Sequence, residues 1–208
     1  IEFTGNPIRK VILDFKDKRE EGKKIFKVDN GKKTILVVGG SLGARTINES
    51  IGGNLEIFEK NNLNLIWQTG ISYENKSTEL IKKIDTKGIN VHVFIKEMDK
   101  AYAAADIIIS RSGAIAISEL CCIAKPLILV PSPNVAEDHQ TQNAQSLVNK
   151  NAALMVKDVD ASGKLVSELV KLSENNDLQK ELSKNISELA VTNAAERIAD
   201  LALELMKK

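Results

Sequence analysis

Short apolar runs alternate with amphipathic stretches along most of the chain. The runs predict strands at 34–38, 63–68, 90–95, 107–109, 126–130 and 153–156. Apolar positions at helical spacing predict a helix that ends near residue 60, helices at 73–84, 98–105, 114–124 and 138–150, and three more between about 162 and 208. Residues 10–32 read as a short helix and a loop. This alternation predicts an α/β fold, a Rossmann-like doubly wound parallel sheet of about six strands with helices on both faces.

The stretch 105–120 contains the clearest junction between a strand and a helix. Three consecutive isoleucines at 107–109 predict a strand that is buried on both faces of the sheet. Ser112 and Gly113 then supply a cap residue and a permissive turn before the helix. A helix start suits a phosphate or pyrophosphate, and Glu119, one turn along, suits a diol such as ribose. An ordinary turn that binds nothing is the alternative.

Three other segments are expected at the same edge of the sheet. The glycine-rich loop 39–43 offers backbone N–H groups and the Ser41 hydroxyl, at a spacing that fits neither the ATP nor the NAD fingerprint. The backbone at Ile95 could pair with the edge of a flat base. The polar stretch 137–144 suits the reading of sugar hydroxyls, or else Glu137 and Asp138 simply complement a helix dipole.

The two histidines give no clear catalytic pattern. His139 is a weak catalytic candidate, since a lone histidine near a helix start is more often a hydrogen-bonding residue, and His92 within a strand is expected to be structural. The neighbouring Cys121 and Cys122 on one helix can neither pair across the fold nor form a metal-ligand spacing. We therefore predict no metal and no cofactor.

Composition narrows the function classes. The 208 residues carry a net charge of +1 with scattered lysines, which argues against nucleic acid as a partner. No apolar run approaches 18 residues, so no membrane span is expected, and the cysteines suit a reducing cytoplasm. The chain begins at Ile1 in an extended segment without a methionine, so we expect it to be a piece of a longer protein or one trimmed at a domain boundary.

Five motifs occur in series at characteristic spacing. Together they resemble the carboxy-terminal, donor-binding half of the MurG family, the bacterial transferases that complete the peptidoglycan lipid precursor. The motifs are Gly5-Asn6-Pro7-Ile8-Arg9, Gly39-Gly40-Ser41-Leu42-Gly43-Ala44-Arg45, Phe94-Ile95, Arg111-Ser112-Gly113-Ala114 through Ser118-Glu119, and His139-Gln140-Thr141-Gln142-Asn143-Ala144.

The resemblance implies a UDP-GlcNAc site. In it Ile95 would contact the uracil through its backbone, and Glu119 would bind the ribose hydroxyls. Gln140, with Asn143 as a second candidate, would bind the GlcNAc hydroxyls. Arg9 would lie near the nucleotide. The pyrophosphate would be held by Ser41 and by the amides of Ala114, Ile115, Ala116 and Ile117, with Ser118 in the same substrate-binding turn.

The resemblance also implies what lies outside the chain. Residues 1–208 would form the donor domain of a GT-B enzyme, with 1–9 as an interdomain linker. The amino-terminal domain would bring the catalytic base, the site for the lipid-linked MurNAc-pentapeptide acceptor and peripheral association with the cytoplasmic face of the inner membrane. The reaction would be an inverting transfer of GlcNAc from UDP to that acceptor, and this chain alone is expected to bind the donor without turnover.

Three other interpretations stay open at this point. The chain could be the donor subunit of a split GlcNAc transferase, half of a non-hydrolysing UDP-GlcNAc 2-epimerase, or a non-catalytic nucleotide-sugar-binding module.

Overall fold

Within residues 1–40, 42–82 and 87–207, which the computed structural model describes, six strands form one parallel sheet. The strands are β1 (Lys33–Val38), β2 (Leu63–Gln68), β3 (Ile89–His92), β4 (Ile107–Ser110), β5 (Leu127–Leu129) and β6 (Leu154–Met155). Their order is β3-β2-β1-β4-β5-β6, and every neighbouring pair is parallel. The predicted sheet is confirmed. Because the order reverses between β1 and β4, ligands are expected beyond the carboxyl ends of these strands.

The central strands are buried on both faces. Ile107 and Ile109 pack with Ile35 in one apolar core, whereas Ile108 packs with Leu36 in the other. Successive side chains of a strand point to opposite faces, so a run of consecutive isoleucines serves both cores at once. The interpretation of the 107–109 run is confirmed.

Helices cover both faces of the sheet. They are α1 (Lys10–Leu13), α2 (Arg19–Ile25), α3 (Arg45–Gly52), α4 (Leu55–Lys60), α5 (Glu74–Ile81), α6 (Met98–Ala104), α7 (Ala114–Ile123), α8 (His139–Val148), α9 (Ala161–Glu174), α10 (Asn176–Ser187) and α11 (Ala194–Met206). The apolar sides of α3, α4 and α9 join the core that contains Ile107, and those of α1, α6, α7 and α8 join the core that contains Ile108. In the described ranges no helix has both the length and the apolarity that crossing a membrane requires.

Two predicted helical segments differ from the structure. The helix expected to reach residue 60 is split into α3 and α4 at Gly52 and Gly53, where the Asn54 side-chain amide donates to the Ser50 carbonyl at 2.7 Å and ends the first helix. A Cβ on Gly52 would approach a leucine methyl group to 2.8 Å, so the glycine allows close packing. Residues 10–32 hold two α-helices and a 3-10 turn, one helix more than predicted.

Two other boundaries depend on local backbone geometry. β3 ends at His92 rather than Ile95, because the Ile95 N–H donates to the side chain of Gln68 at 2.8 Å. Helix α8 begins one residue later than predicted, because Glu137 and Asp138 have φ angles of +52° and +51°. The end of the helix predicted at 73–84 falls partly outside the described residues.

Residues 1–9 form neither helix nor strand and lie against the rest of the domain. Asn6 donates its side-chain amide to the Ser118 hydroxyl at 3.0 Å, and Glu2 pairs with Arg197 at 2.8 Å. Gly5, at φ +81°, lies so close to Val191 that a Cβ would come within 2.9 Å of its side chain. The role of this segment as an interdomain linker stays a prediction.

Candidate functional site

A cleft of about 860 Å³ lies over the carboxyl ends of the strands. Every strand contributes lining residues at or after its last position, among them Val38, Gln68, Phe94, Arg111, Ser132 and Asp158. The predicted site residues that line this cleft are Arg9, Ile95, Ile115, Ala116, Glu119 and Gln140. Gly39 and Gly40 of the glycine-rich loop also line the cleft, so the topology brings together residues from five separate motifs.

The amino terminus of α7 opens toward this cleft. The helix is capped by the backbone of Gly113, which is extended (φ −64°, ψ 148°), and no side chain bonds to the first-turn N–H groups. Helix geometry leaves the first N–H groups without an intrahelical partner, and these belong to Ala114, Ile115 and Ala116. With the positive end of the helix dipole, they form a backbone site for an anion.

Two expectations at this turn are wrong. Ser112 does not cap the helix, because its hydroxyl donates to the Gln140 carbonyl at 2.8 Å. The Ile117 amide donates to the Gly113 carbonyl at 2.9 Å in the first helical hydrogen bond, so it is not available to a phosphate. Three amides, rather than four, therefore remain as donors at this helix start.

Ile117 and Ser118 lie on the other side of α7. Both line a second cavity, of about 540 Å³, between α7 and residues 2–6. The Ser118 hydroxyl donates to the Ala114 carbonyl at 2.9 Å and accepts from Asn6 at 3.0 Å. In this arrangement Ser118 fixes the amino-terminal segment to α7 and does not face the cleft that holds the other predicted residues.

Glu119 is the buried carboxylate of the cleft. Its side chain is 6% exposed, and Arg9 donates to both of its oxygens, through Nε at 2.8 Å and through a terminal nitrogen at 3.0 Å. This bidentate contact raises the pKa of Arg9 above its ordinary value. Burial raises the pKa of the neighbouring Tyr102, and the charge of Glu119 raises it further. A fork of two hydrogen bonds fixes the plane of the carboxylate.

Gln140 and Asn143 both contact the loop after β4. The Gln140 side-chain oxygen accepts from the backbone N–H of Ser132 at 2.9 Å and of Ser112 at 3.3 Å, which directs its NH₂ group away from these amides. Asn143 instead donates to the Ser112 carbonyl at 3.0 Å and is not among the cleft-lining residues. Gln140 is therefore placed to donate to a ligand, whereas Asn143 supports the loop.

His139 is the first residue of α8 and is exposed. In the described part of the chain it does not belong to the cleft lining. His92 is the last residue of β3 and packs edge-on against Phe26, with ring centroids 5.3 Å apart. Burial lowers the pKa of His92 below its ordinary value.

The glycine-rich loop forms the cleft wall next to β1. Gly40 and Gly43 have φ angles of +83° and +85°, and a Cβ on Gly43 would meet the Thr69 carbonyl at 2.3 Å. Glycine is therefore needed both for the backbone conformation and for the close approach to β2. Ser41, the predicted phosphate ligand of this loop, lies outside the described residues.

Two cleft residues, Gln68 and Arg111, were given no role of their own by the sequence analysis. Arg111 donates to the carbonyls of Val130 and Pro131, both at 3.0 Å, and forms an ion pair with Asp158. It thus joins the ends of β4, β5 and β6. Gln68 joins the segments after β1 and β3. A polar residue at the end of an apolar strand, or just after it, was the available signal for both, but it does not specify a partner.

Among the described residues, no cluster of three or more histidine, cysteine, aspartate or glutamate side chains could hold a metal ion. The polar groups of the cleft are backbone amides, side-chain amides, guanidinium groups and carboxylates, which suit an anionic ligand rich in hydroxyls.

The chain is similar to several known proteins. A curated relative from Parabacteroides distasonis, named UDP-N-acetylglucosamine--N-acetylmuramyl-(pentapeptide) pyrophosphoryl-undecaprenol N-acetylglucosamine transferase, is 47% identical over 208 residues, which are 100% of this chain and 56% of that protein. A protein of the same name from Cytophaga hutchinsonii is 48% identical over 206 residues, 99% of this chain and 55% of that protein. The chain therefore spans little more than half the length of these relatives.

A solved structure and a family profile complete the comparison. The crystal structure of Acinetobacter baumannii MurG matches with a TM-score of 0.76 and 30% identity, over 93% of this chain and 55% of that one. The fold is that of the carboxy-terminal half of a GT-B glycosyltransferase. The profile described as the glycosyltransferase family 28 C-terminal domain matches residues 34–198. The chain therefore belongs to the glycosyltransferase family 28 C-terminal domain family.

Proposed function

We propose that this chain binds UDP-GlcNAc as the donor half of an inverting glycosyltransferase, which transfers GlcNAc to undecaprenyl-pyrophosphoryl-MurNAc-pentapeptide in peptidoglycan synthesis. The names of the relatives state this donor and this acceptor for those proteins. Residues 1–208 would be the donor domain, with 1–9 leading in from an acceptor-binding half.

One observation carries the proposal. The open N–H groups at the start of α7 and the buried Glu119 carboxylate lie one helical turn apart in the same cleft. Nucleoside diphosphates present the matching pair of groups, a pyrophosphate next to a ribose diol. Amides and a helix dipole suit the first group, and a carboxylate that Arg9 holds in a fixed plane suits the second.

The remaining groups of the cleft fit the two ends of the donor. The Ile95 N–H already bonds to Gln68, so the Ile95 carbonyl is the backbone group that we assign to the N3–H of uracil. The Gln140 NH₂ is assigned to GlcNAc hydroxyls, and Asn143 acts through the loop that it supports. Ser41 stays a proposed phosphate ligand.

The chemical contribution of this half is stabilisation of the UDP leaving group. Negative charge grows on the pyrophosphate as the glycosidic bond breaks, and the α7 amides are oriented toward it without reorganisation. The base that accepts the proton of the incoming hydroxyl is proposed to come from the other half of the enzyme, as is peripheral association with the cytoplasmic face of the membrane.

A calorimetric titration tests donor binding. The chain is titrated with UDP-GlcNAc, UDP-GalNAc, ADP-glucose and NAD, beside Glu119→Ala and the control Glu168→Ala, which removes a half-buried carboxylate paired with Lys171 on α9, away from the cleft. We expect selective binding of UDP-GlcNAc that Glu119→Ala weakens and Glu168→Ala does not. Preference for NAD or an adenine sugar would contradict the proposal.

A transfer assay tests the division of labour. The chain is incubated with UDP-GlcNAc and a lipid-linked MurNAc-pentapeptide acceptor, and no transfer is expected without an acceptor-binding half. Measured turnover by the pure chain would show that a base lies within it. Tritium exchange at C2 of the sugar would instead indicate an epimerase.

A further inference from the structure

A buried glutamine lies between two loops of the cleft. Gln68 ends β2, where it is in register with Val38 of β1 on one side and His92 of β3 on the other. The residue is 2% exposed. It therefore lies between the glycine-rich loop that follows β1 and the segment around Ile95 that follows β3.

The side-chain amide of Gln68 bonds to both loops. Its Nε2 donates to the Gly40 carbonyl at 3.1 Å, and its Oε1 accepts from the Ile95 N–H at 2.8 Å. An uncharged amide carries a donor and an acceptor at the same end of one side chain. An ionised glutamate lacks the donor, leucine lacks both groups, and asparagine is one methylene shorter.

The glycine-rich loop has further contacts with the turn after Gln68. A Cβ on Gly70 would come within 2.2 Å of the Gly43 nitrogen, and Ser72 donates its hydroxyl to the Leu42 carbonyl at 2.8 Å. These contacts fix the far end of the loop against the turn that follows β2. Gln68 alone, among the side chains that the structure describes, bonds at once to this loop and to the segment after β3.

We propose that Gln68 is a positioning residue that sets the spacing between the Gly40 carbonyl and Ile95, and thereby the affinity for a ligand that spans both loops. The inference rests on the proposed function, in which the pyrophosphate lies at the glycine-rich loop and α7 and the uracil lies at Ile95. A ligand that contacts both loops binds more tightly when the separation of the loops is fixed before it binds. The affinity of a fragment that contacts one loop depends much less on that separation.

The first test compares a spanning ligand with its fragment. The affinities of the chain, of Gln68→Leu and of the control Gln179→Leu are measured for UDP and for uridine. Gln179 is a matched control, because its amide also donates to backbone carbonyls, those of Leu172 and Ser173, away from the cleft. We expect Gln68→Leu to weaken UDP about tenfold more than uridine, the scale of one to two hydrogen bonds, and the control to leave the ratio unchanged.

The second test restores the missing donor with a proton. Gln68→Glu keeps the acceptor for Ile95 but, when ionised, cannot donate to Gly40. Protonation of the buried carboxyl restores the hydrogen-bond donor. The UDP affinity of Gln68→Glu, relative to that of the parent chain at the same pH, is therefore expected to rise between pH 7.5 and pH 5.5. A purely structural role of Gln68 predicts no such recovery.

A measurement on the unmodified chain covers the case in which the variants do not fold. Hydrogen exchange at the Ile95 amide should be slow, because its N–H is bonded to a buried side chain. Rapid exchange there, or equal losses of UDP and uridine in Gln68→Leu, would overturn the inference. Absence of UDP-GlcNAc and UDP binding by the unmodified chain would contradict the proposed function instead.

Discussion

Replacing Glu119 with glutamine tests the proposed ribose site most directly. The substitution keeps the size of the side chain and removes its charge. A carboxylate offers about four acceptor positions. Arg9 occupies two of them, at 2.8 and 3.0 Å, so about two remain, the number that a ribose diol needs. Glu119 can therefore bind Arg9 and a diol at the same time.

The expected loss of UDP affinity follows from the two hydrogen bonds between Glu119 and the ribose diol. A hydrogen bond to a charged group contributes roughly 1.5–3 kcal/mol, and the diol must lose water to form it. Glutamine keeps one weaker acceptor, so we expect a net loss of about 2 kcal/mol, which is about 30-fold in UDP affinity. Arg9 is 55% exposed and can be rehydrated, so the free energy of unfolding is expected to change by less than about 1 kcal/mol.

The assay is a pair of titrations with UDP and 2′-deoxy-UDP. The unmodified chain should prefer UDP, and Glu119→Gln should lose most of that preference, because the 2′-hydroxyl no longer meets a carboxylate. Thermal unfolding of both proteins controls for stability. If both proteins distinguish UDP from 2′-deoxy-UDP by the same factor, Glu119 does not bind the ribose.

Three further substitutions, one of them with a matched control, test the surrounding structure. Burial lowers the pKa of His92 below 6.5, so at acidic pH the folded chain binds fewer protons than the unfolded chain. The free energy of unfolding should therefore fall as the pH drops below 6.5, by at most about 1.4 kcal/mol per pH unit. His92→Gln should flatten that pH dependence in thermal melts. Gly43→Ala should lower both UDP affinity and the free energy of unfolding, the latter by about 1 kcal/mol or more in urea titrations, because of its φ of +85° and the Thr69 carbonyl. Gly163→Ala, in open space in the first turn of α9, is the control: it should leave UDP affinity unchanged and should not lower the free energy of unfolding, because a helix favours alanine over glycine. Asn48→Ala should lower the free energy of unfolding by about 2–4 kcal/mol in the same titrations. The reason is that the fully buried Asn48 amide accepts from the Trp67 indole N–H and donates to the Thr69 carbonyl. An unchanged urea midpoint would refute this.

The sequence by itself determined that the chain forms a parallel sheet with strands buried on both faces. A parallel strand that is buried on both faces must be apolar at consecutive positions, so the isoleucines of β4 identify such a strand without any tertiary information. The change from strand to helical spacing after Ser110 likewise locates the start of α7. These signals are local, because both residue types and spacing are set by elements of a few residues.

Tertiary structure decided which groups of the cleft remain available to a ligand. Arg9 and Glu119 are 110 residues apart in sequence and meet only because residues 1–9 lie against α7. Ser112 resembles a helix cap in sequence, but in the fold its hydroxyl bonds to the backbone of Gln140. Gln68 reads as the polar end of a strand, and its two partners depend on strands β1 and β3 flanking β2. The partners of each of these hydrogen-bonding groups are distant in the chain. Which partner comes within reach therefore depends on the order of the strands rather than on the residue type.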